Sequence, residues 1–209
     1  DNAYVIKQQL ASYLSDFKSH REVIGQDTFS YIEAGPPMAE CVFFIHGAVG
    51  NKTQWRGLMQ LLSRQYRVIA IDVPGLAVGH EAASGYYSLT ELSNYIMRFF
   101  RHKNIESACL VAHSMGANIA CRFSALYPNK VNSLVVASLT GWEQLFGQSY
   151  WHKFSEFKQL LVFNNLDEFK ALFSSLFHQP PYMPDALLEL RMRDLQKHQT
   201  QLYKVLTHI

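Results

Sequence analysis

Cysteine is scarce in this 209-residue sequence: only Cys41, Cys109 and Cys121 are present. The number is odd and each lies in an apolar or helical run. They therefore read as buried free thiols of a reducing compartment rather than as a disulfide. No C-x-x-C pair or Cys/His cluster accompanies them, so no metal and no cofactor is implied. A surplus of one charge is also lacking, since 19 Lys and Arg stand against 17 Asp and Glu. That balance excludes the basic excess of nucleic-acid binders. No apolar run approaches the ~18 residues of a membrane span, so no membrane partner is expected. The first residues, DNAYVIKQQL, lack the positive start and apolar core of a secretory signal. The location expected on these grounds is the cytoplasm. No initiating Met, internal repeat or low-complexity segment is present.

What is present is a 48 % apolar chain, long enough for one sizeable core with an insertion. Residues 4–18 carry Val5, Leu10, Leu14 and Phe17 at helical spacing and predict a leading helix. REVIGQ and TFSYIEAG predict two strands joined by a turn at Gln26-Asp27. AECVFFIHG and YRVIAIDVPG are apolar without alternation, as in strands buried on both faces of a parallel sheet. Trp55, Leu58, Met59 and Leu62 predict a helix between them. Ser88 to Glu91 is a capping-box pattern heading the stripe Leu92, Tyr95, Ile96, Phe99 and Phe100. SACLVAHS predicts a strand, GANIACRFSALY a helix stopped by Pro128, and VNSLVVASL one more strand. This alternation argues for a parallel sheet with crossover helices. Beyond Gly141 only helical stripes recur: Phe154 to Leu161, Leu166 to Phe177, and one long helix from Leu187 to Leu206 after Pro184. The aromatic load of residues 142–182 reads either as the core of that helical unit or as the wall of an apolar cleft.

Ser114 stands at the end of an apolar strand and the start of a helix, with Ala112 two residues before it and Gly116 two after. A sharp strand–turn–helix bend exposes one side chain at the carboxyl edge of a sheet, and only small residues fit at those flanking positions. This is the pattern of a nucleophile elbow, with Ala in place of the first Gly of G-x-S-x-G. The other reading is a serine that caps a helix. A second segment, FFIHGAVGNKTQW, ends a strand in His46-Gly47 and opens a loop able to aim a backbone N–H at the same edge. Ala48 is the first choice for that donor and Val49 the second. His46 reads as a satisfied core histidine rather than a catalytic one. In AIDVPGLAVGH, Asp72 reads as a carboxylate that orients a turn rather than a catalytic acid.

With HGAVGNKTQW, DVPGLAVGH and AHSMG in order and register, residues 22–209 resemble the α/β-hydrolase fold-1 superfamily. The resemblance implies an α/β fold: a mostly parallel sheet of eight strands flanked by helices, with an all-helical cap after the sixth strand. Residues 1–139 would be the core, strands one to six, and residues 140–209 the cap or lid. It implies Ser114 as nucleophile, with the N–H groups of Met115 and Ala48 as the oxyanion hole. His46, Gly47, Val49 and His113 would line the substrate. The family's D-x-P-G-x-G-x-S departs here at Ala77 and Gly79, so that loop is expected to differ in shape. Serine at the elbow suits acyl transfer, so the implied substrate is small, partly apolar and ester-like: an ester, thioester, amide or C–C bond beside a ketone. The triad acid and histidine of the family follow a seventh and an eighth strand, and neither strand is recognisable. His152, His178, His198 and His208, like Glu143, Asp167, Asp185 and Asp194, follow no strand. The sheet is thus expected to be incomplete, with an edge open to self-association. The alternatives are a non-catalytic relic that binds a ligand or partner, and an acyltransferase.

Overall fold

The computed structural model describes residues 17–77, 85, 87–139, 159 and 161–207. The chain divides into two compact units, Asp1–Thr140 and Gly141–Ile209.

The first unit is built on six strands: β1 (Lys18–Ile24), β2 (Asp27–Ala34), β3 (Cys41–Ile45), β4 (Arg67–Ile71), β5 (Ala108–His113) and β6 (Val131–Ala137). Their order across the sheet is β1-β2-β4-β3-β5-β6. β2 runs antiparallel to both its neighbours, while β4, β3, β5 and β6 are mutually parallel. β3 and β4 are the two unbroken apolar runs, and β3 is buried along its whole length. Lys18, predicted to end a leading helix, instead opens β1; residues 4–16 lie outside the described residues. The β1–β2 turn falls at Gly25-Gln26, one residue earlier than expected, because Gly25 takes the positive φ of 63° that the reversal needs.

Successive side chains of a strand leave on opposite faces, so Phe43 and Phe44 seed two different cores. On one face, helix α2 (Leu89–His102) lays its stripe over β2 and β3. Phe99 contacts the rings of Phe29, Tyr31 and Phe43 at centroid distances of 5.3, 4.9 and 5.8 Å. Phe100 meets Phe43 and also Phe123 of helix α3 (Met115–Leu126). Ser88 caps α2 as its sequence pattern predicts, its Oγ accepting from the Glu91 N–H at 3.2 Å. On the other face, Phe17, Ile32, Val42, Phe44, Val68 and Ala70 pack with Met59. Met59 belongs to the short helix α1 (Arg56–Leu62), where it is the one buried residue. Trp55 stands just before α1, in a 3₁₀ turn over Lys52–Trp55. Among the described residues, β6 has β5 as its single neighbour, and Leu134, Val135 and Val136 remain 37, 52 and 40 % exposed.

The second unit holds α4 (Leu166–Ser175), α5 (Asp185–Gln196) and α6 (Gln199–Thr207). Asn165 caps α4 by accepting from the Glu168 N–H. The single long helix expected after Pro184 is two helices: the chain tightens where the His198 N–H donates to Leu195 O and restarts at Gln199. Phe163 and Phe169 are buried in this unit's own core, whereas Phe177 and Tyr182 are exposed. Phe173 is half-buried against the Phe177 ring, and the aromatic residues of the expected cleft wall from Trp142 to Phe157 lie outside the described residues.

Candidate active site

All seven residues singled out in the sequence lie at the carboxyl ends of β3 and β5, which are adjacent and parallel. Ser114 follows β5 directly and takes φ 53°, ψ −125°. A serine adopts this sparsely populated region only when its surroundings impose it. Two contacts do so. The Ser114 N–H donates to Ala137 O at the end of β6 (2.8 Å), and Ser114 O accepts from the Ala117 N–H (2.8 Å). The helix-capping reading fails, because the Ser114 side chain makes no capping hydrogen bond. Its hydroxyl is half-buried and has no hydrogen-bond partner among the described residues.

The small residues at its flanks are explained by distances. A Cβ on Gly116 would stand 2.6 Å from Ile45 O and 2.4 Å from His46 O, so only glycine lets α3 start so close to the end of β3. A Cβ on Gly47 would come within 2.8 Å of the Ser114 Cβ. The loop after β3 therefore lies directly against Ser114. Met115, buried in the first turn of α3, belongs to the residues whose N–H groups have no intrahelical acceptor. The positive end of the helix dipole reinforces them.

The loop itself is a tight turn over Gly47, Ala48, Val49 and Gly50, closed by the Gly50 N–H donating to Gly47 O at 3.2 Å. Val49 takes φ 56° at its third position, as a type II turn requires, although the residue is β-branched. The Ala48 N–H makes no hydrogen bond among the described residues. Ser138, just after β6, is also at positive φ, 51°. Three strained non-glycine residues thus follow the three neighbouring strands β3, β5 and β6, which is where ligands enter an open α/β sheet.

His46 is not available to line a substrate. It is fully buried, its Nε2 accepts from the Val73 N–H at 2.9 Å, and its Nδ1 lies 2.8 Å from Gly47 O. Burial pushes its imidazole pKa down, so the ring is neutral, with its proton on Nδ1. It pins the ends of β3 and β4 together. His113 is half-buried, and its Nδ1 is enclosed without a hydrogen-bond partner among the described residues. Burial lowers its pKa as well.

Asp72, placed in the sequence as an orienting carboxylate, has partners that the sequence did not indicate. Its Oδ1 accepts from the Lys52 N–H at 2.8 Å. Its Oδ2 accepts from Lys52 Nζ and, at 2.9 Å, from the Ser30 hydroxyl. Burial raises the Asp72 pKa, but the Lys52 amide, ammonium hydrogen bond and charge outweigh it and hold the carboxyl below its ordinary value. Ser30 and Lys52 lie 42 and 20 positions from Asp72, so no local motif marks them.

No group of three His, Cys, Asp or Glu residues among the described ones is arranged to hold a metal. The three thiols are free, and burial pushes that of Cys41 up to about 12, which makes it a poor nucleophile. No helix among the described residues is long and apolar enough to cross a membrane.

A family model described as alpha/beta hydrolase fold matches residues 40–181. The dihydrolipoyllysine-residue acetyltransferase component of the acetoin cleaving system of Cupriavidus necator is 31 % identical over 116 residues, 56 % of this chain and 31 % of that protein. Monoacylglycerol lipase abhd6-B of Xenopus laevis is 28 % identical over 120 residues, 56 % of this chain and 36 % of that one. Among solved structures, lip1 of Acinetobacter baumannii, a candidate lipase, superposes with a TM-score of 0.85 at 25 % identity, over 98 % of this chain and 68 % of that one. The chain spans only about a third of the length of the two curated relatives.

Proposed function

The chain belongs to the alpha/beta hydrolase fold family, and on that footing we propose that it is a serine hydrolase acting through an acyl-enzyme on Ser114. One observation carries the reading: Ser114 is held at φ 53° with a side chain that caps nothing, while Gly47 of the facing loop abuts its Cβ. In this reading the Ser114 oxygen attacks an acyl carbonyl and a base takes its proton. The Met115 and Ala48 N–H groups receive the oxyanion. The leaving group departs with the proton, and water then releases the acid by the same route. The substrate class is a small, partly apolar ester, thioester, amide or C–C bond beside a ketone.

Serine is not nucleophilic at its own pKa, so a histidine oriented by a carboxylate is required. Among the described residues nothing hydrogen-bonds the Ser114 hydroxyl. We assign the base and acid to residues outside the described ones. The helical second unit is assigned the role of cap. A fluorophosphonate probe, applied to the complete protein, should label Ser114, and Ser114→Ala should abolish the labelling. Labelling that survives the substitution would remove Ser114 from this role. A second reading, acyl transfer to an acceptor other than water, draws on the likeness to an acetyltransferase component, and product analysis with p-nitrophenyl esters separates the two.

A further inference from the structure

We propose that Lys52, Asp72 and Ser30 are positioning residues that clamp the turn carrying the Ala48 amide against Ser114. This rests on the serine-hydrolase reading above. The turn is unfavourable by itself, since Val49 is β-branched and sits at φ 56°. A free loop would relax out of it. It is anchored on both sides instead. Before the turn, buried His46 holds the Val73 N–H just past β4. After it, Lys52 grips Asp72 twice, through its backbone N–H and through Nζ. The Lys52 ammonium also donates to the Ser30 hydroxyl (2.9 Å), which in turn donates to Asp72 Oδ2 (2.9 Å). The Asp72 N–H closes the ring by donating to Ser30 O (2.8 Å). The residues between the anchors, 47 to 51, are thereby fixed to β2 and β4, two strands that have no part in the chemistry.

The ion pair is little exposed, 17 and 9 % at its two side chains. Such pairs are poor general stabilisers, because desolvation offsets their attraction, but they define one geometry sharply. That is what a backbone oxyanion donor needs, since a displacement of about 1 Å costs roughly 100-fold in rate. The clamp gives Lys52 a role at the site without contact with substrate. It also accounts for the aspartate at position 72, which directly follows a buried strand where an apolar residue would otherwise pack.

The test compares the complete wild-type protein with Lys52→Met, Asp72→Asn and Lys52→Arg, using amide hydrogen exchange and ester kinetics. Lys52→Met and Asp72→Asn should speed exchange of residues 47–51 about tenfold while β5 and α3 keep their protection. Their kcat should fall roughly 10- to 100-fold with KM nearly unchanged, because an oxyanion donor acts in the transition state. Lys52→Arg, which keeps the charge, should recover part of both effects. Unchanged exchange at 47–51, or protection lost equally across the whole sheet, would overturn the clamp. If the wild type neither labels nor turns over, the hydrolase reading fails, and the exchange data still decide whether the anchors hold the turn.

Discussion

Gly47 is a glycine because the Ser114 Cβ leaves no room for a side chain there. Holding a non-glycine residue in the Ser114 conformation costs on the order of 1–3 kcal/mol, a strain that persists only where packing over-determines it. Part of that packing is the Gly47 backbone, which leaves no room for a methyl group: a Cβ there would also lie 3.1 Å from His113 O. Gly47→Ala should therefore displace the elbow or the loop and reduce probe labelling of Ser114 at least tenfold, with the fold retained by circular dichroism; undiminished labelling would show that the two do not touch in solution. How much of this was legible follows from range. Ser114, Ala112 and Gly116 sit within five positions, so their steric logic is written locally. His46 was readable as a core residue because it closes a wholly apolar strand. Lys52 and Ser30 were not readable at all, because they meet Asp72 through the strand order β2-β4-β3, which places distant segments side by side.

At the scale of elements, α2 is the strut that ties β2 to β3. Its Phe99 is fully buried among rings from β2 and β3. Phe99→Ala should destabilise the first unit by about 3–5 kcal/mol through lost burial and the cavity left behind, measured by denaturant unfolding. A loss below 1 kcal/mol would mean that the aromatic cluster closes over the gap. The central strands and both long helices of this unit were legible because buried parallel strands lose alternation while helices keep a stripe. Boundaries in the second unit were not. A stripe continues from Leu188 through Leu195 to Leu202, all buried, yet the backbone breaks between them. Side-chain spacing records which face is inward and carries no sign of a tightened turn at His198.

For the molecule as a whole, the outer strand β6 dominates. β6 exposes Leu134, Val135 and Val136 in succession, and because neighbours in a strand point to opposite faces, apolar surface is bare on both sides of it. An apolar edge with no second partner strand among the described residues is a template for strand addition. The 209-residue chain should therefore run above its monomer mass in size-exclusion chromatography with light scattering, and Val135→Lys should return it toward the monomer. A clean monomer from the unaltered chain would contradict this.

The hydrogen bond from the Ser114 amide to Ala137 ties the proposed nucleophile to the last residue of that same border strand. The proposed nucleophile is thus one bond away from the outer strand of the described sheet. On the hydrolase reading proposed above, a strand that zips onto β6 would stiffen the residue that holds the Ser114 amide, and the speed with which a covalent inhibitor marks Ser114 would report that addition.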